Sequence, residues 1–278
     1  MRPIYYVLVV MLPVLCIGTM QADTKGPITK LPRYELPSRL VEKLSPDDRE
    51  MFTALINVHI ESAWGALSAL GYPQNFTNEV HPVDPDMILV GRARTFEMLP
   101  GRKDIAETLP EPSYLFRMLE DTNPGDILVF AMGGMTEVGA GGDVTTQRFI
   151  YQGGAGMIFD GAIHDLTMIR LYELPVFARN AHTSALAGRL MYTRVDVPVR
   201  FAGVTVEAGD ILYGNVAGIL VIPKELVWQV IENARQRDIK EEFQRIRLQK
   251  GAPIIGTYPP NEETLKEFEE WKKEKGYK

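Results

Sequence analysis

The stretch from Gly125 to Asp165, GDILVFAMGGMTEVGAGGDVTTQRFIYQGGAGMIFDGAIHD, decides how the rest of the chain is read. It holds two short β-type runs, Ile127–Ala131 and Gly156–Phe159, each opening into a turn that carries glycine and a carboxylate. Between them, Gly139-Ala140-Gly141-Gly142 leads into Asp143-Val144-Thr145-Thr146, which reads as a helix start. A glycine turn feeding a helix leaves backbone N–H groups without intrahelical partners, and such a turn suits an anion. The second run ends in Asp160-Gly161-Ala162-Ile163-His164-Asp165, with polar side chains just past a strand. Ligands of open α/β sheets bind at such strand ends, so the two ends together are expected to build one site.

Working outward, Ser45-Pro46-Asp47-Asp48 supplies an N-cap serine, a proline in the first helical position and acids in the first turn. Met51, Phe52, Leu55 and Ile56 follow at helical spacing. A second helix spans Glu61 to Leu70 and stops at Gly71-Tyr72-Pro73. Strands are expected at Ile88–Gly91 and Ala93–Phe96, a short helix at Tyr114–Glu120, then the central stretch. Beyond it come a helix at Leu166–Glu173, a strand at Pro175–Ala178 and a β-rich segment from Asp196 to Ile222. A long helix runs from Lys224 to about Lys250 and ends at Gly251-Ala252-Pro253. In the tail, Leu265, Phe268 and Trp271 form one stripe of a surface helix expected to dock on the body or on a neighbouring subunit. Early strand–helix alternation with a late β cluster indicates layered α/β architecture.

The formal net charge of −6 disfavours nucleic acid as a partner. Arg235, Arg237, Lys240, Arg245 and Arg247 are interleaved with acids and read as a solvated helix face. At the N-terminus, Met1-Arg2-Pro3 precedes an apolar run from Ile4 to Ile17 and then small and polar residues to Ala22. That pattern is a secretory signal over residues 1–22, too short for a comfortable membrane span. Export, to the periplasm or beyond, is therefore expected; an uncleaved leader would be the one membrane attachment. Cys16 is the single cysteine, so the mature chain would have no disulfide and no thiol nucleophile.

Neither glycine cluster completes a dinucleotide fingerprint, and the phosphate-loop, His-Glu-x-x-His, Gly-x-Ser-x-Gly and Cys-x-x-Cys signatures are absent. What remains is oxygen chemistry around Asp143, Asp160, Asp165 and nearby Glu137. A hard cation needs few protein carboxylates, because it keeps waters and takes further oxygens from substrate. By position, Asp143 and Asp165 also suit helix caps and turns. His59, His81 and His182 read as surface or packing residues.

The ordered series Gly91-Arg92-Ala93-Arg94-Thr95, Pro124–Val129, Gly142-Asp143, Gly153–Asp165, Leu174–Arg179, Val197–Val199, Gly203–Val206, Gly209-Asp210 and Gly218–Pro223 resembles the RraA-like family. That family includes the 4-hydroxy-4-methyl-2-oxoglutarate aldolases and the regulator of ribonuclease E activity. The resemblance covers residues 43 to 251 and implies an α-β-β-α sandwich of the swivelling β/β/α type. It implies that Asp165 holds Mg²⁺ or Mn²⁺, and that backbone groups of Gly142, Val144 and Thr145 cradle a substrate carboxylate. It also implies that Asp143 activates a water and that Glu241 completes the site from an adjacent subunit, unless Glu241 is merely a solvated helix acid. The family carries arginine where this chain has His164. Histidine cannot make the bidentate fork of a guanidinium, but can donate one hydrogen bond, act as acid or base, or bind metal. Asn215-Val216-Ala217-Gly218 also departs from relatives that carry acids there.

The organisation expected is a leader at 1–22, an arm at 23–44, an RraA-like domain at 45–251 and a C-terminal extension with a helix at 252–278. The expected function is a divalent-metal-dependent lyase of aldolase or decarboxylase type, acting on a small 2-oxo or hydroxy acid through a metal-stabilised enolate. The alternative is a non-catalytic binding or regulatory protein. A homo-oligomer, trimer or hexamer, follows from the resemblance.

Overall fold

The computed structural model describes residues 30, 32–110, 113–186 and 188–277; the leader at 1–22 lies outside these residues. The chain enters through helices α1 (Ser38–Val41), α2 (Pro46–Ile56) and α3 (Ile60–Ala69). Ser45 caps α2 by accepting the Asp48 N–H at 3.1 Å, with Pro46 in the first helical position. Two-residue strands β1 (Phe76–Thr77) and β2 (His81–Pro82) precede the long β3 (Leu89–Pro100). Then follow α4 (Lys103–Ala106), α5 (Tyr114–Glu120), β4 (Asp126–Ala140), α6 (Asp143–Gln152), β5 (Gly156–Ile163), α7 (Leu166–Ile169) and β6 (Val176–Ala181). The β-rich part comprises β7 (Leu190–Val195), β8 (Val199–Phe201), β9 (Val204–Val206), β10 (Ile211–Asn215) and β11 (Gly218–Ile222). Helices α8 (Val227–Gln249) and α9 (Glu262–Glu274) close the chain.

One sheet of the described residues runs β1-β11-β10-β3-β4-β5-β6-β2, with β7 paired to the far half of β3 and β8–β9 forming a separate hairpin. Its centre, β3 to β6, is parallel, and helical crossovers join those strands. Parallel strands covered on both faces must be apolar on both, and β4 shows how. Ile127, Val129 and Ala131 face the core shared with α1, α2, α3 and α8, whereas Leu128, Phe130 and Met132 face the core shared with α5, α6 and α7. The rings of Phe96, Phe130 and Phe159 stack across three neighbouring strands, at centroid distances of 4.9 and 4.4 Å. The α/β sandwich expected from the sequence is the architecture found.

Four details differ from the sequence reading. The first β run does not end in a turn at Gly133: β4 continues to Ala140, with register shifts against β5. Gly133 and Gly134 take φ of 65° and 81°, so the glycines bulge the strand instead of reversing it. Likewise β5 runs through Asp160 to Ile163. Finally, Leu190–Val195 is a strand paired with β3, and the expected helix at Leu166–Glu173 is one α-turn followed by a 3₁₀ turn.

The described part of the arm is anchored from Leu36 on: Leu36, Leu40 and Leu44 are buried in the first core, and Arg39 donates to the Gly154 carbonyl at 3.0 Å. The tail helix docks on α8 of its own chain, with Phe268 and Trp271 against Phe243 at centroid distances of 5.6 and 5.5 Å.

Candidate functional site

Parallel strands β4 and β5 end side by side, and the chain leaving β5 is held by the end of β4. The His164 N–H donates to the Ala140 carbonyl at 3.0 Å. Asp165 then takes φ 52°, ψ 31°, a left-handed conformation that aspartate tolerates better than most residues. This turn starts α7 and leaves the carboxylate free of any capping bond to that helix.

The carboxylate instead joins the two strand ends. One oxygen accepts from His164 Nδ1 at 2.6 Å, and the other from the Asp143 N–H at the start of α6 at 3.2 Å. His164 Nε2 meets the Thr183 carbonyl at 3.0 Å, and a carbonyl can only accept, so Nε2 carries hydrogen. Nδ1 faces the Asp165 carboxylate, which favours a hydrogen there as well and with it the charged form of the ring. The Asp165 carboxylate accordingly raises the pKa of His164 above the ordinary histidine value, against the opposing effect of partial burial. Partial burial disfavours the Asp165 charge, but the hydrogen bonds from His164 and the Asp143 amide outweigh it and hold this pKa below the ordinary aspartate value.

An open depression of about 480 Å³ lies over the pair, lined by Asp143, His164, Asp165, His182 and Thr183 with an apolar wall of Ile163, Leu166, Met168 and Ala181. His164 and Asp165 keep 26% and 33% of their side chains exposed, enough to meet a ligand. Gly139 permits the close packing beneath: a Cβ there would lie 2.6 Å from the His182 carbonyl oxygen and 2.9 Å from His164 Cβ.

Two of the three amides expected to cradle a carboxylate are engaged locally: Gly142 N–H points to Thr145 Oγ1 at 3.2 Å and Val144 N–H to Asp143 Oδ1 at 2.7 Å, while the intervening Asp143 N–H goes to Asp165. A ligand binding there would have to replace these side-chain acceptors. Glu241 lies on α8, paired with Arg237 at 2.9 Å and Arg245 at 3.6 Å, and does not line the depression of its own chain. Asp160 does not join Asp165 either. It is buried inside β5 and ion-paired with Arg179, because β5 extends past the point where the sequence suggested a loop. Glu137 is exposed on β4, and its carbonyl accepts from Arg189.

Among the described residues no three His, Cys, Asp or Glu side chains cluster as a ready metal cage. The donors present are the carboxylates of Asp165 and Asp143, hard oxygen ligands beside an open volume. That set fits a hydrated Mg²⁺ or Mn²⁺, which takes one or two protein carboxylates and fills its shell with water and substrate oxygens. Each Asp165 oxygen spends one lone pair on its hydrogen bond and keeps another for a cation.

The sequence reading missed His182. Its Nδ1 accepts the Ser184 N–H at 2.9 Å, fixing the tautomer with hydrogen on Nε2, and the ring lines the depression. No motif marks it; only the segment after β6, which crosses the ends of β5 and β4, brings it to the same depression as His164.

The sequence model described as RraA-like, Aldolase/RraA, matches residues 58–221. A Halalkalibacterium halodurans protein provisionally named 4-hydroxy-4-methyl-2-oxoglutarate aldolase is 25% identical over 184 residues, which is 66% of this chain and 83% of its own. A Streptomyces coelicolor structure, described as an unusual member of the RNase ES inhibitor RraA protein family, aligns with TM-score 0.66 and 28% identity over 72% of this chain and 98% of that one. A Pseudomonas syringae protein of uncharacterised role shares the fold, with TM-score 0.67 and 20% identity over 77% of this chain and 95% of that one.

Proposed function

Because the chain belongs to the RraA-like family, we propose that it is a divalent-metal-dependent lyase of aldolase or decarboxylase type acting on a small 2-oxo or hydroxy acid. The observation that carries this reading is the Asp165 carboxylate, held between His164 and the Asp143 amide at the mouth of an open depression. A Mg²⁺ or Mn²⁺ ion bound there supplies positive charge where an oxo-acid develops enolate character. Asp165 holds the cation, and His164 fixes the carboxylate that holds it. Asp143 lines the same depression and is placed to accept a proton from water or from a substrate hydroxyl. The apolar wall from Ile163 to Met168 takes the substrate's carbon skeleton and limits water around it. Assembly into a homo-oligomer and export through the leader belong to the same proposal.

The decisive experiment is calorimetric titration of Mg²⁺ and Mn²⁺, with and without oxalate as an enolate mimic. Metal binding strengthened by oxalate and lost in Asp165→Ala is the expected result. A folded protein that binds neither ion sinks the lyase reading. One observation favours the regulatory alternative: His164 stands where the family has arginine, and both its ring nitrogens are already engaged. In that case Asp165→Ala would leave partner binding intact.

A further inference from the structure

The engagement of His164 raises the question of which side chain binds the substrate itself. Its Nε2 is committed to the Thr183 carbonyl and its Nδ1 to Asp165, so whatever its charge it has no hydrogen left for a substrate oxygen. The family's arginine, with five N–H donors, could hold its neighbouring carboxylate and still reach a ligand; an imidazole has two. The function has to move elsewhere in the depression. No lysine or arginine is among the described residues that line it.

His182 has the geometry that His164 lacks. It lines the same depression, just past the end of β6, on a segment pinned at both ends. Its own N–H donates to the Ile163 carbonyl at 3.0 Å, and two residues on, the Gly139 N–H donates to the Ser184 carbonyl at 2.9 Å. The Ser184 N–H occupies Nδ1 at 2.9 Å and thereby places the ring hydrogen on Nε2. Among the described residues Nε2 has no protein partner. The ring therefore offers one oriented donor on a backbone that cannot easily retreat.

We infer that His182, through Nε2–H, is the side chain that binds a carboxylate oxygen of the substrate, and that His164 is a positioning residue for Asp165. This rests on the reading of the depression as a 2-oxo-acid site. The ligand class is a small 2-oxo acid with a short apolar tail: the carboxylate end meets His182 near Asp165, and the tail meets Leu166, Met168 and Ala181.

The test titrates oxalate into the full-length protein saturated with Mn²⁺, and separately titrates Mn²⁺ alone. His182→Ala is expected to weaken oxalate about tenfold or more, the worth of one hydrogen bond to a charged group. Its Mn²⁺ affinity should stay within about twofold of the parent, since it holds no metal ligand. His182→Gln, which keeps an N–H at similar reach, should recover most of the oxalate affinity; recovery excludes a folding defect. His164→Ala, which removes the hydrogen-bond partner of Asp165, should instead change Mn²⁺ affinity by more than that margin. Oxalate binding unchanged in His182→Ala overturns the inference while leaving the metal site standing. A parent protein that binds Mn²⁺ but not oxalate defeats the oxo-acid reading and this inference with it.

Discussion

At the scale of single residues, the site turns on a histidine whose chemistry is set by its neighbours. Protonated His164 is favoured by Asp165, and ionised Asp165 by His164 and the Asp143 amide. The two shifts have opposite signs and define a window. The histidine contribution is complete below the ordinary histidine value and fades as pH rises through the elevated folded value. The aspartate contribution is complete above the ordinary aspartate value and fades as pH falls through the depressed folded value. The pair is therefore strongest between the two ordinary values. NMR titration of the His164 ring is expected to give a midpoint above that of a histidine in an unstructured peptide, and Asp165→Asn should lower it. An identical midpoint in the two proteins would show that the carboxylate does not hold the proton. The sequence exposed the identity of this pair, through its place after a β run, but not its geometry. Nothing in the string His-Asp says that Asp165 turns left-handed or that Thr183 reaches back to the ring.

At the scale of elements, the site depends on how closely the end of β4 packs under the return from β6. Gly139 is the contact point, and its φ lies in a region open to any residue, so only space restricts it. Gly139→Ala would put a methyl carbon against the His182 carbonyl and the His164 side chain, both closer than real Cβ contacts allow. Overpacking of this kind costs about 1–3 kcal/mol. Urea denaturation should show that loss, accompanied by weaker oxalate binding because His164 and His182 both move. Full stability in Gly139→Ala would mean that the return segment yields freely and does not fix the site. The same elements show what could be read in advance. The periodicity of Met51, Phe52, Leu55 and Ile56 gave α2, and the glycine turn before Asp143 gave α6. The glycines at 133 and 134 misled because glycine at positive φ serves both turns and bulges, and only pairing with β5 decides between them. Leu190–Val195 was overlooked because its strand status comes from pairing with the far half of β3, a partner about ninety residues away.

At the scale of the whole molecule, the open matter is whether the depression functions within one chain or needs α8 of another copy. The C-terminal extension offers a way to separate these. Phe268 is buried against Phe243, Ile239 lies in the same cluster, and Tyr277 donates to the buried Glu242 at 3.0 Å. Glu241 stands two residues from both Ile239 and Phe243, about 200° around the helix, so it projects away from α9. Helix α9 thus steadies α8 from the side turned away from the acid that a neighbouring subunit would use. Phe268→Ala should cost about 3 kcal/mol in urea denaturation, as loss of a buried aromatic generally does. If the depression is complete within one chain, oxalate affinity measured where the variant remains folded should equal the parent's, because the extension contributes no lining residue. If α8 of a second copy completes it, loosening α8 should weaken oxalate, and Glu241→Gln should weaken it with no loss of stability. A parent-like affinity in both variants would exclude α8 from the site and place the whole binding surface on the strand ends of one chain.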